Sequence, residues 1–163
     1  MPSITVKNVL TRCVRRLLSR HQDVLTKLRD EIASMVGIGP DARQPTQDKL
    51  KKMTDLNLAI KESLRLYPPI PVNQRATSCD TTLPEGGGPD GQSPVLVRRG
   101  ESVGFSAHAI HRRKDIYGRD ALEYRPERWQ TDELQGIGDA YIPFGAGARA
   151  CLGREFQCWK PHT

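Results

Sequence analysis

The chain has 163 residues, a formal charge of +6 at pH 7 and a mean hydropathy of −0.56. That length suits one domain, and no apolar stretch approaches the roughly 20 residues needed to cross a bilayer. Its four cysteines, Cys13, Cys79, Cys151 and Cys158, form no Cys-x-x-Cys pair and have no histidine at zinc-finger spacing, which argues against a zinc site and against a disulfide scaffold. The positive charge would suit an acidic partner, and a solvated basic surface is the simpler account of it.

Val6, Val9, Leu10, Val14, Leu17 and Leu18 recur at helical spacing. Residues 1–22 carry Lys7, Arg12, Arg15, Arg16 and Arg20 without an acid, a composition similar to an organelle presequence. No small-residue cleavage signal follows, so an ordinary basic helix is the simpler reading. Ser19 and Gln22 have the spacing of a capping box and predict a second helix, with Val24, Leu25, Leu28 and Ile32 facing inward and Asp23 four residues from Lys27. Gly37 ends that pattern, and residues 41–49 read as a polar loop.

A third helix is expected from near Thr54, taken as its N-cap, to the turn before Pro68-Pro69. Met53, Leu56, Ile60, Leu64 and Tyr67 define its buried stripe. Glu62 and Arg65 project from one face, three residues apart; most such pairs are exposed and contribute at most about 1 kcal/mol.

Glycine and proline dominate residues 77–100, which predicts a long turn region flanked by extended segments at 72–76, 95–97 and 102–105. Arg98-Arg99-Gly100-Glu101 reads as a hairpin turn. His108 and His111, without a carboxylate constellation beside them, suit packing or solvated surface, and neither is assigned as a ligand.

The run Phe144-Gly145-Ala146-Gly147-Ala148-Arg149-Ala150-Cys151-Leu152-Gly153 sets one cysteine in a glycine-rich turn where a helix could begin. Backbone N–H groups and a nearby cation favour a thiolate there. Gly145 and Gly147 let a flat ligand approach the main chain, and Arg149 offers a planar fork to a carboxylate. A structural cysteine in a Gly/Ala turn is the alternative.

This run resembles Phe-x-x-Gly-x-Arg-x-Cys-x-Gly, the haem-binding signature of the cytochrome P450 monooxygenases. The resemblance implies a mainly α fold with a small β-sheet region, the C-terminal portion of the cytochrome P450 fold and incomplete. It implies one partial domain over 1–163: helical at 1–67, β/turn-rich at 68–105, a short helix and meander at 106–140, and the haem-binding loop with a truncated helix at 141–163. Cys151 would be the axial ligand of the iron in haem b (iron protoporphyrin IX), with Phe144, Gly145, Gly147, Arg149 and Gly153 forming the cofactor loop. Arg75 lies where the family commonly places a second propionate-binding arginine; an ordinary strand-surface arginine is the alternative.

The order Glu62-x-x-Arg65, Leu66-Tyr67-Pro68-Pro69, Pro126-Glu127-Arg128-Trp129 and the cysteine loop also resembles this family. By that resemblance Glu62, Arg65 and Arg128 form a structural, buried charge network that fixes the meander. The stretches from Leu83 to Gly91 and from His111 to Gly118 are similar to the fungal alkane and fatty-acid hydroxylases. The implied activity is insertion of one oxygen atom from O2 into an apolar, aliphatic or fatty-acid-like small molecule. Electrons would come from an NADPH-dependent flavoprotein reductase, with Arg112, Arg113 and Lys114 adding to the basic surface open to it.

The implied location is the endoplasmic reticulum membrane, although this chain carries no anchor. The resemblance runs from Leu17 to Phe156, about the C-terminal third of a family member. The central helix that walls the distal haem face has no counterpart, and Pro161 would end any helix after the cysteine. The expectation is therefore a family enzyme whose isolated segment is not active alone. A noncatalytic remnant is the second reading. A basic nucleic-acid or membrane-surface binder is the third; no recognition motif accompanies the 6% aromatic content, and nucleic acid is not expected.

Overall fold

Apolar residues at helical spacing fold into α1 (Val6–Leu18), α2 (Gln22–Val36) and, after a short α3 (Gln47–Lys52), α4 (Thr54–Leu66). The computed structural model describes residues 6–40, 42 and 44–151. They divide into two compact units, Val72–Ser106 being one and the segments on either side of it the other.

In the helical unit, Leu17 of α1, Val24 and Leu28 of α2, and Ala59 and Leu66 of α4 bury against Tyr124. Tyr124 donates its hydroxyl to the Ala59 carbonyl at 3.1 Å, and burial pushes its phenol up to about 12. The last turn of α4 is enclosed all round, since Glu62, Ser63, Leu64, Arg65 and Leu66 are all buried. Beyond the β-rich unit the chain forms α5 (Ala107–Ile110), α6 (Lys114–Tyr117) and 3₁₀ turns at Pro126–Gln130, Asp132–Leu134, Gly138–Ala140 and Gly147–Arg149.

Several local expectations are corrected. Ser19 does not cap α2. It directly follows α1, with its N–H still on the Arg15 carbonyl at 3.0 Å, so its hydroxyl donates back to the Arg16 carbonyl, while the Gln22 side-chain amide donates to the Ser19 carbonyl at 3.0 Å. Residues 41–49 are not wholly loop: Thr46 accepts the Lys49 N–H and opens α3. Thr54 lies inside α4 rather than at its cap. The donors at that end go to α2, where Glu31 accepts the Asp55 and Leu56 N–H groups at 3.0 and 2.9 Å. Lys27 pairs with Glu127 at 2.6 Å rather than with Asp23. Tyr67 follows the end of α4, leaves the stripe and is 46% exposed.

In the β-rich unit, β1 (Asn73–Ala76), β2 (Thr81–Gly87), β3 (Ser93–Val97) and β4 (Ser102–Phe105) form two separate antiparallel pairs. β2 pairs with β3, and β1 pairs with β4 from Asn73↔Phe105 to Ala76↔Ser102. The turn region expected at 77–100 therefore contains two strands. Pro84 falls where the β2–β3 register shifts between Leu83 and Gly87, which lets a strand accommodate it. Residues 98–101 do turn, with Glu101 N–H on the Arg98 carbonyl at 3.0 Å, but they do not close a hairpin. The strands on either side belong to different sheets, and Thr77 bonds both Gly100 and Glu101. Among the described residues no helix is long and apolar enough to cross a membrane.

Candidate functional site

The structure brings Glu62, Arg65 and Arg128 together in the helical unit, 0%, 0% and 2% exposed. Glu62 and Arg65 stand one turn apart at the end of α4. Pro126 sets Arg128 in the first 3₁₀ turn, where a missing N–H costs nothing. Arg65 bonds Glu62 through Nε at 2.9 Å and Nη2 at 2.8 Å, and Arg128 Nε reaches the same carboxylate at 2.8 Å. Trp129 Nε1 and the Arg125 N–H complete a set of five donors on Glu62.

The remaining guanidinium donors bind irregular backbone. Arg65 takes the carbonyls of His111, Ala121 and Glu123, and Arg128 takes those of Tyr117, Asp120 and Glu123. Buried carbonyls outside regular structure need such partners. Burial alone would raise the Asp120 carboxyl, but Arg128 and Arg125 hold it below its ordinary value.

His111 sits beside this cluster, fully buried. Its Nδ1 lies 3.0 Å from the Arg65 carbonyl, and its Nε2 accepts the Ile142 N–H at 2.9 Å. Burial, reinforced by the positive charges of Arg65 and Arg112, lowers its pKa to about 4. Arg112 turns inward, donating to the carbonyls of Leu66 and His108, and Arg113 pairs with Asp115 at 2.5 Å. Of the three basic residues expected at an open surface, Arg112 is thus engaged with backbone and Arg113 with an acid.

Ile142 leads into the cysteine loop. Gly145 N–H bonds the Ile142 carbonyl at 3.1 Å, Ala150 N–H bonds that of Gly147 at 3.1 Å, and Cys151 N–H bonds that of Phe144 at 2.9 Å. Gly145 and Gly147 have φ of +74° and +68°, a left-handed region that favours glycine, and a Cβ on either would meet nothing within 4 Å. The Cys151 thiol and Arg149 are exposed, and Phe144 is half-buried. Gly153 and the helix expected after the cysteine lie outside the described residues. Among the described residues no group of three or more His, Cys, Asp or Glu is placed to hold a metal ion.

Arg75 belongs to β1 of the other unit. It is exposed, with Nη1 on Asn73 Oδ1 at 2.9 Å and on the Gln74 carbonyl at 3.0 Å. Sequence reasoning passed over Glu31, Asp120 and Tyr141, and read His111 as packing or solvated surface; it is packed. Spacing could not find Glu31 and Tyr141, whose partners are backbone groups tens of residues away, while Asp120 pairs with Arg125 and Arg128 within an irregular stretch that has no periodicity to read.

The sequence matches the family described as Cytochrome P450 over residues 3–158. The chain belongs to the cytochrome P450 family of oxidoreductases. It is 60% identical over 141 residues to a protein of Arthroderma benhamiae named Cytochrome P450, covering 86% of this chain and 28% of that one. Cytochrome P450 52A5 of Candida maltosa is 48% identical over 141 residues, covering 85% and 27%. Cytochrome P450 monooxygenase FPY7 of Fusarium mangiferae is 43% identical over 140 residues, covering 86% and 25%. The chain spans about a quarter of the length of these curated relatives.

Proposed function

We propose that the chain is the C-terminal, haem-binding portion of a haem-thiolate monooxygenase, with Cys151 as the axial ligand of haem b. The observation that carries this reading is the loop itself. An exposed thiol, held by its own amide to the Phe144 carbonyl, follows two left-handed glycines with open space above them. A soft sulfur donor suits haem iron, and one thiolate suffices where a porphyrin supplies the other ligands. Bound haem would supply the redox chemistry of O–O cleavage, favoured by electron donation from the thiolate.

This chain's own residues hold and orient. Phe144 and Cys151 close the loop, and Gly145 and Gly147 keep its face free of side chains. Arg149 is free to meet a propionate, while Glu62, Arg65 and Arg128 fix the backbone on which the loop is mounted. The whole protein would insert one oxygen atom from O2 into an aliphatic or fatty-acid-like substrate, using electrons from an NADPH-dependent flavoprotein reductase. The likeness to the fungal alkane and fatty-acid hydroxylases in the stretches from Leu83 to Gly91 and from His111 to Gly118 favours that substrate class, and the match to P450s of the 52A series is in keeping with it.

The test is the carbon-monoxide difference spectrum of the reduced chain, expressed with haem supplied, beside Cys151→Ala. A red-shifted Soret band lost in the variant is expected. No such band, or an equal band in both proteins, would refute thiolate ligation.

A further inference from the structure

His111 links the buried charge cluster to the cysteine loop, and the haem reading assigns it no part. We propose that His111 is a positioning residue for that loop: a neutral imidazole, seated against α4, that accepts the Ile142 N–H and through that bond places the backbone leading to the Cys151 amide. What the loop is positioned for rests on the haem-thiolate reading; the positioning itself does not.

The hydrogen-bond roles are fixed by the partners. A carbonyl only accepts, so Nδ1 must carry the proton toward Arg65 O; an amide only donates, so Nε2 must be bare toward Ile142. One neutral tautomer satisfies both. The clamp on Arg65 is reciprocal, since Arg65 Nη1 donates to the His111 carbonyl at 2.7 Å across 46 residues of sequence. The imidazole also stacks on Tyr141, with ring centroids 5.4 Å apart and planes at 28°, and the Tyr141 hydroxyl donates to the Lys61 carbonyl at 3.1 Å. The ring is therefore held from α4 at two points.

From Ile142 the chain of bonds is short. The Ile142 carbonyl takes the Gly145 N–H, and the Phe144 carbonyl takes the Cys151 N–H. Ile142 lies outside regular structure, so the imidazole stands where a ladder partner would otherwise be needed. A space-filling side chain at position 111 would leave that N–H without its acceptor.

Two conservative variants separate the two bonds. The amide oxygen of His111→Gln can reach the place of Nε2 and accept from Ile142. His111→Asn can place an N–H near Nδ1, bonding Arg65 O, but does not reach Ile142. Backbone amide hydrogen exchange, resolved by NMR on the full chain without haem, reads both. The asparagine variant should exchange about fivefold or more faster at Ile142, Gly145 and Cys151, and the glutamine variant should stay near wild type. The Arg125 amide, bonded to Glu62 at 3.1 Å, should keep its protection in both.

Equal behaviour of the two variants would overturn the proposal, as would a Cys151 amide unaffected when that of Ile142 opens. Loss of protection at Arg125 in the glutamine variant would also overturn it, because His111 would then serve the general core. With haem supplied, the red-shifted carbon-monoxide band should weaken in the asparagine variant and persist in the glutamine one. Absence of that band from the wild-type chain would count against the haem reading, while the exchange data would still decide the role of His111.

Discussion

Replacing Glu62 by glutamine keeps the volume and removes the one carboxylate that lies between two buried arginines. Oε1 accepts from Arg65 Nη2, Arg128 Nε and the Arg125 amide, and Oε2 accepts from Arg65 Nε and Trp129 Nε1. A glutamine must turn its NH2 toward one of these sets. The milder choice sets it against Arg65 Nε–H and the Trp129 indole, leaving one buried and one part-buried donor without an acceptor, at up to about 1–3 kcal/mol each. Asp120 still answers Arg128 at 3.3 Å, but Arg65 retains no ion-pair partner among the described residues. The expected loss is about 3–5 kcal/mol, the usual cost of stranding a buried charge and not the plain sum of its bonds. In urea, with the slope usual for a small domain, the midpoint should fall by about 2 M, followed by circular dichroism and tryptophan fluorescence. Glu127→Gln is the control. Its pair with Lys27 is shorter, at 2.6 Å, but the side chains are 52% and 43% exposed, so it should cost less than about 1 kcal/mol. If Glu62→Gln costs no more than Glu127→Gln, the assignment of a buried, charge-dependent clamp is wrong.

Other outcomes can be checked alongside. Glu31→Ala should lower stability by about 1–2 kcal/mol in the same urea assay, because two N–H groups at the start of α4 lose their acceptor. His111 has a pKa of about 4 when folded against an ordinary 6.5, so between those values the unfolded chain binds more protons. Its contribution is full above about pH 6.5 and is lost as pH falls toward 4, up to roughly 3 kcal/mol. The urea midpoint should slope across that window in the wild type and flatten in His111→Gln. Gly147→Ala should cost roughly 1 kcal/mol from backbone conformation alone, since its Cβ meets nothing, with faster exchange at the Ala150 amide as the local readout.

The sequence made the helices of the first segment legible because their inward residues are spaced for it, and Leu17, Val24, Leu28 and Leu64 are buried. It misread the ends of those helices, where partners come from elsewhere: Glu31 caps a helix far along the chain, and nothing local to Thr54 signals it. The strand β2 was hidden because pairing needs backbone only, and its Pro and Gly content resembles a turn. At the site, motif order brought Glu62, Arg65 and Arg128 under one heading, and the structure has them in contact. The part of His111 could not be read, because both hydrogen-bond partners of its ring are main-chain groups, which carry no residue identity.

The pairing of β1 with β4 joins the two ends of Val72–Ser106 through their own backbone. Arg65 and His111 must meet across 46 residues, a closure that ordinarily slows folding because the chain loses entropy before any contact rewards it. If the strands zip first, from the inner pair outward, Asn73 already faces Phe105 and the loop left to close shrinks to about 14 residues, an entropic saving of about 1 kcal/mol. The excursion then acts as a folding staple for the charge clamp. On that route the length or sequence of the inner β2–β3 pair can vary with little effect on the rate at which the clamp assembles.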